Sequence, residues 1–321
     1  MKLNLPILDQ LADSQNILIA GAGGGFDVFI GLPLYFTLRA LGKTVHLANY
    51  TFCDLSLVNR ISEPEVLLEH LVVGARGAGR IPWYFPEGYL AQWFKEVRSE
   101  DVPVWMFANM SVGPVARAYR KLTEHLGIDA VILVDGGVDS LMRGDEERPG
   151  SLVEDTISLA AIEPLDIPVK ILACLGFGTE VEERVGHHHA LENIAALAGE
   201  GAFWGSCALT AQMEAFQLFE SAARYVWEQP NHSKSHISTR IIPAVRGEFG
   251  NYHMYTDNPM RETVFISPLM SLYWFFDANA VIRRSLLVEV LRPTDTKREA
   301  RQSFIAARQE WRIRPHRNIP Y

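Results

Sequence analysis

Short apolar runs alternate with longer segments of helical periodicity through the first two-thirds of the chain. A run of about five apolar residues is typical of a strand that is buried on both faces of a parallel sheet. Strands are predicted at residues 16–20, 44–48, 102–107, 130–134 and 169–174. Helices are predicted between and after them, at residues 31–41, 86–97, 115–126, 152–160 and 187–197. This alternation predicts an α/β fold with a Rossmann-like, doubly wound and mostly parallel sheet.

Two of the predicted helices have recognisable start signals. Ser151 and Glu154 have the spacing of a capping box ahead of an apolar run. Pro114 stands where the first turn of a helix tolerates proline.

The pattern is less regular after about residue 200. A long helix is predicted over 210–228, a polar loop over 230–238, strands over 239–245 and 263–266, and helices over 278–290 and 297–312. The aromatic stretch 264–280 is interrupted by Pro268 and Asp277, so it predicts core rather than a membrane span, which needs roughly 18 apolar residues. Since no repeat or low-complexity linker is found, residues 1–321 are predicted to form one α/β domain with C-terminal additions.

Composition narrows the class of protein. A chain of 321 residues with 48% apolar content can build one large core. Its net charge of −8 argues against a nucleic-acid partner, because such proteins carry a clustered basic face. The cysteines, Cys53, Cys174 and Cys207, are far apart and form no CxxC pair, which favours reduced thiols and a cytoplasmic location. No signal peptide and no membrane partner are expected, and a homo-oligomer is left open.

Polar residues follow every predicted strand of the parallel sheet. Ligands of such sheets bind beyond the carboxyl ends of the strands, where the strand order reverses. Asn49 follows the second strand, and Asn109 and Ser111 follow the third. This convergence predicts a binding site for a small-molecule ligand at that edge, with these three side chains among the ligand-binding residues.

A glycine-rich loop joins the first strand to the first helix. Its glycines are Gly21, Gly23, Gly24 and Gly25. Without side chains, backbone N–H groups can approach an anionic ligand closely, although a tight turn needed only for packing is the alternative. The loop is not a P-loop, and it departs from the dinucleotide fingerprint because Phe26 occupies the third glycine position and Asn49 replaces the expected acid. Asp27 would repel a phosphate, so it is expected to cap the helix or to bind sugar hydroxyls or a cation.

A cluster of acids follows the fourth strand. Its members are Asp135, Asp139, Asp145 and Glu146. Gly136 and Gly137 let the chain fold back, so that Asp135 and Asp139 can point into one cleft and bind ligand there. Such a pair suits Mg²⁺ or Ca²⁺, general acid–base catalysis or a ribose diol, and a solvated acidic loop is the alternative. If a metal is used, these two aspartates are its predicted ligands and Mg²⁺ the predicted cofactor.

Further catalytic and binding candidates come from later in the chain. Glu180 follows the fifth strand, and three consecutive histidines begin at His187. One histidine can enter the site as a base or ligand, but adjacent helical residues point about 100° apart, so all three do not bind one ion. The predicted catalytic residues are therefore Asp135, Asp139, Glu180 and His187. Arg240 is predicted to bind an anionic ligand, Arg246 is a weaker candidate, and both have a surface role as the alternative.

The order of these motifs resembles that of the DUF1152 family, a set of uncharacterised prokaryotic proteins. The resemblance rests on Gly-Ala-Gly-Gly-Gly-Phe-Asp at 21–27, Val-Asp-Gly-Gly-Val-Asp at 134–139, Arg-Gly-Asp-Glu at 143–146, residues 151–155, and Gly-Phe-Gly-Thr-Glu at 176–180. It covers roughly residues 16–290. The family pattern has four glycines before the aspartate, from which Phe26 departs, and this change would narrow or shift the pocket. The resemblance implies where a site lies and assigns no reaction.

Taken together, these patterns lead to an enzyme hypothesis. The chain is predicted to act on a nucleotide, nucleoside or phosphorylated sugar, by hydrolysis or group transfer at a glycosidic or phosphate-ester bond. A non-catalytic nucleotide or metabolite sensor is the first alternative, and an atypical dinucleotide-dependent oxidoreductase is the second. An enzyme is favoured if Asp135, Asp139 and one histidine of 187–189 reach a shared point.

Overall fold

The computed structural model describes residues 6–81, 83–180, 184–229, 234–252 and 264–319. The strands of these segments are β1 (Asn16–Gly21), β2 (Thr44–Tyr50), β3 (Glu65–Leu68), β4 (Val72–Ala75), β5 (Val104–Phe107), β6 (Ala130–Asp135), β7 (Val169–Leu175), β8 (Phe203–Ala208), β9 (Gly250–Tyr252), β10 (Val264–Ile266) and β11 (Leu272–Asp277). The helices are α1 (Asp27–Ile30), α2 (Leu32–Ala40), α3 (Pro86–Arg98), α4 (Val112–Leu126), α5 (Val153–Ile162), α6 (His187–Gly199), α7 (Glu214–Trp227), α8 (Ser238–Val245), α9 (Ala278–Arg284), α10 (Leu287–Leu291) and α11 (Lys297–Glu310).

Nine of these strands form one mixed sheet in the order β3-β4-β5-β2-β1-β6-β7-β11-β8. The five strands from β5 to β7 are parallel to one another, and they are the five that the sequence predicts. The α/β class is therefore confirmed. The mostly parallel central sheet is also confirmed, while the sheet as a whole is mixed, because β4 runs antiparallel to β3 and β5, and β11 runs antiparallel to β7 and β8. The connection from β3 to β4 is too short for a crossover helix, so these two strands pair antiparallel.

Helices cover both faces of the sheet because its central strands are buried on both sides. In β1, Leu18 and Ala20 belong to one apolar cluster, which includes side chains of α4 and α5. The alternate residues, Ile17 and Ile19, belong to the opposite cluster, with side chains of α2 and α7. Burying each such aliphatic side chain contributes about 1.5–3 kcal/mol. These two cores leave the carboxyl-terminal edge of the sheet as the place where polar loops meet.

The last third of the chain differs from its prediction in several elements, and its strands β8 and β9 are not predicted from the sequence. Residues 239–245, predicted as a strand from the β-branched Ile241 and Ile242, belong to helix α8, which packs on the turn Pro268–Ser271. The helix predicted over 278–290 is divided, because Ser285 is extended between α9 and α10. The stretch predicted only as core contains β11, the strand that joins β7 to β8.

Other boundaries agree with the sequence pattern where the structure describes them. β10 falls within the strand predicted at 263–266, of which Thr263 lies outside the described residues. Part of the predicted polar loop, residues 230–233, also lies outside them. Along the described chain, every helix is too short or too polar to cross a bilayer.

Candidate functional site

A cavity of about 300 Å³ opens at the carboxyl ends of β1, β6 and β7. In the sheet, β5 and β2 lie on one side of β1, while β6 and β7 lie on the other. The loops after β1 and β6 therefore lead away in opposite directions and leave a crevice between them. Five acidic side chains line this crevice, which we call the acidic cavity: Asp27, Asp135, Asp139, Asp155 and Glu180.

Three of these acids form a compact group. Asp135 is the last residue of β6, Asp139 begins the 3-10 turn that follows, and Glu180 lies in the loop after β7. One oxygen of each carboxyl group lies within 4.8 Å of an oxygen of the other two. Carboxylate oxygens at such spacing are the ligands that Mg²⁺ and Ca²⁺ prefer. This group is therefore a candidate divalent-cation site.

Local hydrogen bonds hold these three side chains in place. The Val138 amide donates to Glu180 Oε2 over 2.6 Å, and the Ser140 hydroxyl donates to Asp135 Oδ2. The amide and hydroxyl of Ser151 both donate to Asp139 Oδ2, over 2.7 and 2.9 Å. Charge-assisted hydrogen bonds of this kind fix the orientation of a carboxylate.

The predicted capping box at Ser151 needs a correction. Helix α5 begins at Val153 after Leu152, and its first turn has no side-chain cap. Ser151 instead donates its hydroxyl proton to Asp139. The Ser151 side chain therefore orients an acid of the cavity and does not cap the helix.

The amide groups of the glycine loop point to Asp27 of the chain itself. The Gly23 amide donates to Asp27 Oδ2 over 2.7 Å, and the amides of Gly24 and Gly136 also hydrogen-bond this side chain. The loop was predicted to present its amides to an anionic ligand, but a carboxylate of the protein already receives them. Asp27 therefore presents negative charge to the cavity in the place where a phosphate cradle would hold an anion.

Burial dominates the electrostatics of the acidic cavity. It raises the pKa of Asp27 to about 7, although the Gly23 amide partly opposes this change. The pKa of Asp135 lies well above its usual range because of burial and of the nearby Asp139 charge. The same two causes raise the pKa of Asp155 and of Glu180. Repulsion between these carboxylates favours the uptake of protons or cations.

Asp155, in the first turn of α5, was not among the predicted site residues. Only 3% of the residue is exposed, and its Oδ1 has no hydrogen-bond partner among the described residues. The adjacent Glu154 faces away from the cavity and pairs with Lys297 over 2.6 Å. A signal was present in the sequence, because Leu152, Leu159 and Ile162 stand three residues before, four after and seven after Asp155, which places Asp155 on the apolar face of the helix.

Aromatic and polar side chains complete the walls of the cavity. Phe26, Tyr84 and Phe52 line one side, with 46% of Phe52 exposed. The ring centroids of Phe26 and Tyr84 lie 6.2 Å apart. Lys234 and His236 line another side. Neither is among the predicted site residues, because both lie in a polar segment without helical or strand periodicity that would single out one side chain.

The predicted glycines divide into two groups. The cavity is lined by three of them, Gly23, Gly24 and Gly136. The other three, which are Gly21, Gly25 and Gly137, do not line it. A β-carbon at Gly21 would collide with the Asn49 side chain, and one at Gly137 would collide with Glu180. Gly24 has a φ of +96°, and its β-carbon would lie 2.6 Å from the Tyr50 carbonyl oxygen. Glycine at 21, 24 and 137 is thus required by packing or by the backbone.

Asn49 supports the glycine loop from below. It is fully buried, and its amide nitrogen donates to the Gly25 carbonyl over 2.9 Å and to Glu87 Oε1 over 2.7 Å. Its side chain does not line the acidic cavity. Asn49 therefore positions the loop where the ribose-binding acid of a dinucleotide site would stand.

The other strand-end candidates lie away from the cavity. Asn109 accepts a hydrogen bond from the Tyr50 hydroxyl over 3.0 Å, and the Ser111 hydroxyl bonds that of Thr294 over 2.6 Å. Both follow β5, which is separated from β1 by β2. Since neighbouring strands lie about 4.8 Å apart, this end of the sheet is about 10 Å from the β1 loop.

The predicted histidine and arginines also lie outside the cavity lining. His187 packs on Phe177, with ring centroids 5.2 Å apart, and Arg240 donates to the Thr179 carbonyl behind the Glu180 loop. Arg246 pairs with Glu220. Within the described residues, His188 and His189 form a separate group with Glu192, whose ligand atoms lie within 4.8 Å of one another.

The predicted acid cluster is divided between two places. Asp135 and Asp139 line the cavity, while Asp145 and Glu146 bind Arg314 of the C-terminal segment over 2.8 and 2.6 Å. Glu146 is fully buried. Its ion pair with Arg314 therefore holds the C-terminal segment against residues 145–146, which follow the Asp139 turn. Cys174, next to the end of β7, is buried, and burial raises the pKa of its thiol.

Comparison with known proteins locates most of this site within a family match. The model of a family described as "Protein of unknown function (DUF1152)" matches residues 90–309. The match includes Asp135, Asp139, Asp155 and Glu180, while Asp27 and the glycine loop precede it. No curated protein and no solved structure matches the chain.

Proposed function

Because the chain belongs to the DUF1152 family, whose description assigns no activity, we propose its function from the chemistry of the acidic cavity. The chain is a divalent-cation-dependent enzyme that acts on a nucleotide, nucleoside or phosphorylated sugar. It catalyses hydrolysis or group transfer at a phosphate-ester or glycosidic bond. The observation that carries this proposal is the grouping of Asp135, Asp139 and Glu180 around one point.

The charge of the cavity explains why a cation belongs to the proposal. Five carboxyl groups line a space of about 300 Å³, and unscreened they repel a phosphate. A Mg²⁺ ion bound there would neutralise part of this charge and act as a Lewis acid toward a substrate oxygen. Asp135, Asp139 and Glu180 would hold it, and their hydrogen bonds to the protein keep them oriented for that role.

Asp27 is the candidate proton carrier of the reaction. Its pKa of about 7 allows it to accept and return a proton near neutral pH. The amides of Gly23 and Gly136 stabilise its ionised form, so both protonation states are accessible. None of the histidines at 187–189 lines the cavity, so the convergence of a histidine with Asp135 and Asp139 that would favour an enzyme is not found, and the proposal gives the proton-carrier role to Asp27 instead.

The remaining walls fit a substrate of this class. Phe26, Phe52 and Tyr84 bring aromatic rings to the cavity, which suit contact with a base or a sugar, and Lys234 places one positive charge among its acids. The parallel strands have the order 3-2-1-4-5 when counted along the chain, which is the order of doubly wound nucleotide-binding folds. The cavity lies at the reversal of that order, where such folds bind ligands.

Substitution of Asp135 tests the proposal. Metal-free protein is titrated with Mg²⁺ by calorimetry, and turnover is measured on nucleosides, nucleotides and sugar phosphates through released base, sugar or phosphate. Asp135→Asn is expected to weaken Mg²⁺ binding and to lower turnover by roughly 100-fold or more, while the circular dichroism spectrum is retained. The control is Asp166→Asn, an exposed residue before β7 at the other end of the strands.

Each outcome of this experiment has a consequence. Unchanged Mg²⁺ affinity and turnover in Asp135→Asn would contradict the proposal, and loss of the folded spectrum would make Asp135 a structural residue. Mg²⁺-dependent ligand binding by the wild type without any turnover would identify a sensor instead of an enzyme.

A further inference from the structure

Asp27 and Asp155 face each other across Gly23. A β-carbon at Gly23 would lie 2.8 Å from Asp155 Oδ1 and 3.0 Å from Asp27 Oδ2. The backbone does not require glycine there, because the φ of Gly23 lies outside the left-handed region. The missing side chain therefore keeps a space open between two carboxylates.

Asp155 Oδ1 is a buried acceptor that the protein leaves unsatisfied. Only 3% of the residue is exposed, and no described residue donates a hydrogen bond to this oxygen. Leaving such a buried atom unpaired is unfavourable, and more so when the group is charged. The space beside Gly23 lies next to this oxygen, so a cation there would satisfy it.

The charges of the cavity point to more than one cation. Among the described lining residues, Lys234 is the one lysine or arginine that accompanies the five acids. With all five acids ionised, one divalent cation together with Lys234 balances three of the five negative charges. A second divalent cation balances the other two, and it would replace the protons that buried and mutually repelling carboxyl groups otherwise retain.

We propose that the acidic cavity binds two divalent cations, the second one held between Asp27 and Asp155. With both ions bound, Asp27 is a metal ligand, so its role as proton carrier belongs to the form that holds only the first ion. This inference rests on the proposed function, which places the first cation at Asp135, Asp139 and Glu180. Asp139, a member of the first group, lines the same cavity as Asp27 and Asp155. Two such ions clamp the oxygens of a phosphate group, which makes a phosphate ester the substrate class of this site.

Manganese stoichiometry tests the inference on the full chain. Metal-free protein is equilibrated with Mn²⁺, bound ions are counted by native mass spectrometry, and spin coupling between ions is measured by electron paramagnetic resonance. The wild type is expected to bind two Mn²⁺ ions that are spin-coupled. Asp155→Asn is expected to bind one ion and to show an uncoupled Mn²⁺ spectrum.

A second variant and a control separate a metal ligand from a structural residue. Gly23→Ala retains all five carboxylates but fills the space between two of them, so it is also expected to bind one ion. Glu154→Gln removes the same charge from the adjacent residue, which pairs with Lys297, and is expected to bind two.

The outcomes distinguish this inference from the proposed function. One ion in the wild type, lost in Asp135→Asn, would overturn the second site and leave the first standing. No bound ion in the wild type would overturn both. Two ions in both Asp155→Asn and Gly23→Ala would overturn the assignment of the second ion to the Gly23 space.

Discussion

Replacing Glu87 by glutamine isolates the effect of one buried acid on stability. Glu87 lies in the first turn of α3 and is fully buried. Its Oε1 accepts from Asn49, and its Oε2 has no hydrogen-bond partner among the described residues. Glutamine has the shape of the protonated acid and retains an acceptor for Asn49. The variant therefore removes the ionisation and keeps the packing.

The size of the effect follows from the pKa of this group. Burial raises the pKa of Glu87 from 4.5 to about 7. In the native state the proton is held more tightly than in the unfolded chain, so stability is greatest below pH 4.5 and falls as the pH rises toward 7. At about 1.4 kcal/mol for each pH unit, the loss amounts to about 3 kcal/mol. Above pH 7, Glu87→Gln is expected to be more stable than the wild type by that amount.

Urea unfolding between pH 4.5 and 8.5 measures this difference. The free energies of unfolding of wild type and Glu87→Gln should coincide at the acid end and diverge steadily toward pH 7. At pH 8 the thermal midpoint of the variant should be higher by roughly 4 °C, for an unfolding entropy of about 2 cal/mol/K per residue. Glu124→Gln, an exposed glutamate on α4, serves as the control and should follow the wild type.

Parallel curves for wild type and Glu87→Gln would refute the reasoning, because they would mean that Glu87 has the same pKa in the folded and unfolded states. A variant less stable than wild type at pH 8 would show that the ionised carboxylate has a favourable partner. Either result would contradict the interpretation that Glu87 is held as an uncharged partner of Asn49, the residue that positions the glycine loop.

Two further substitutions test contacts around the cavity. Asn49→Asp places a second carboxyl group against Glu87, so it should destabilise the protein more at pH 8 than at pH 5. An equal loss of unfolding free energy at both pH values in urea unfolding would exclude charge repulsion as the cause. Arg314→Met leaves the buried Glu146 and its neighbour Asp145 without their cation, so the free energy of unfolding should fall by about 3 kcal/mol. An unchanged midpoint of thermal unfolding would show that the ion pair does not stabilise the C-terminal segment.

The fold was predictable where local pattern and final burial agree. β6, with six buried residues in a row, reads as a strand from its sequence alone. β8 does not, because Gly205 and Ser206 interrupt it and most of its residues are only half-buried. α8 was predicted as a strand because Ile241 and Ile242 favour strands, while the packing that makes it a helix comes from residues 268–271.

The site was predictable to the extent that sequence order matches spatial order. Asp135 and Glu180 meet because β6 and β7 are neighbours on the same side of β1. Ser111 follows β5, which is the third of the five parallel strands along the chain. In the sheet β5 lies two places from β1, and nothing in the sequence reveals that distance. Asp155 reaches the cavity from a helix, so listing the residues after each strand does not find it.

Strand β11 has a consequence for how the chain is made. A protein leaves the ribosome from its amino terminus, and its earlier segments begin to fold first. β7 and β8 are complete well before β11 emerges, yet β11 is the strand that lies between them. Until then, the growing chain exposes an unpaired edge of β7, the strand that leads into the Glu180 loop, and such edges invite pairing with other chains. The strand that leads into the Glu180 side of the acidic cavity therefore gains its second neighbour only when residues 272–277 have been made.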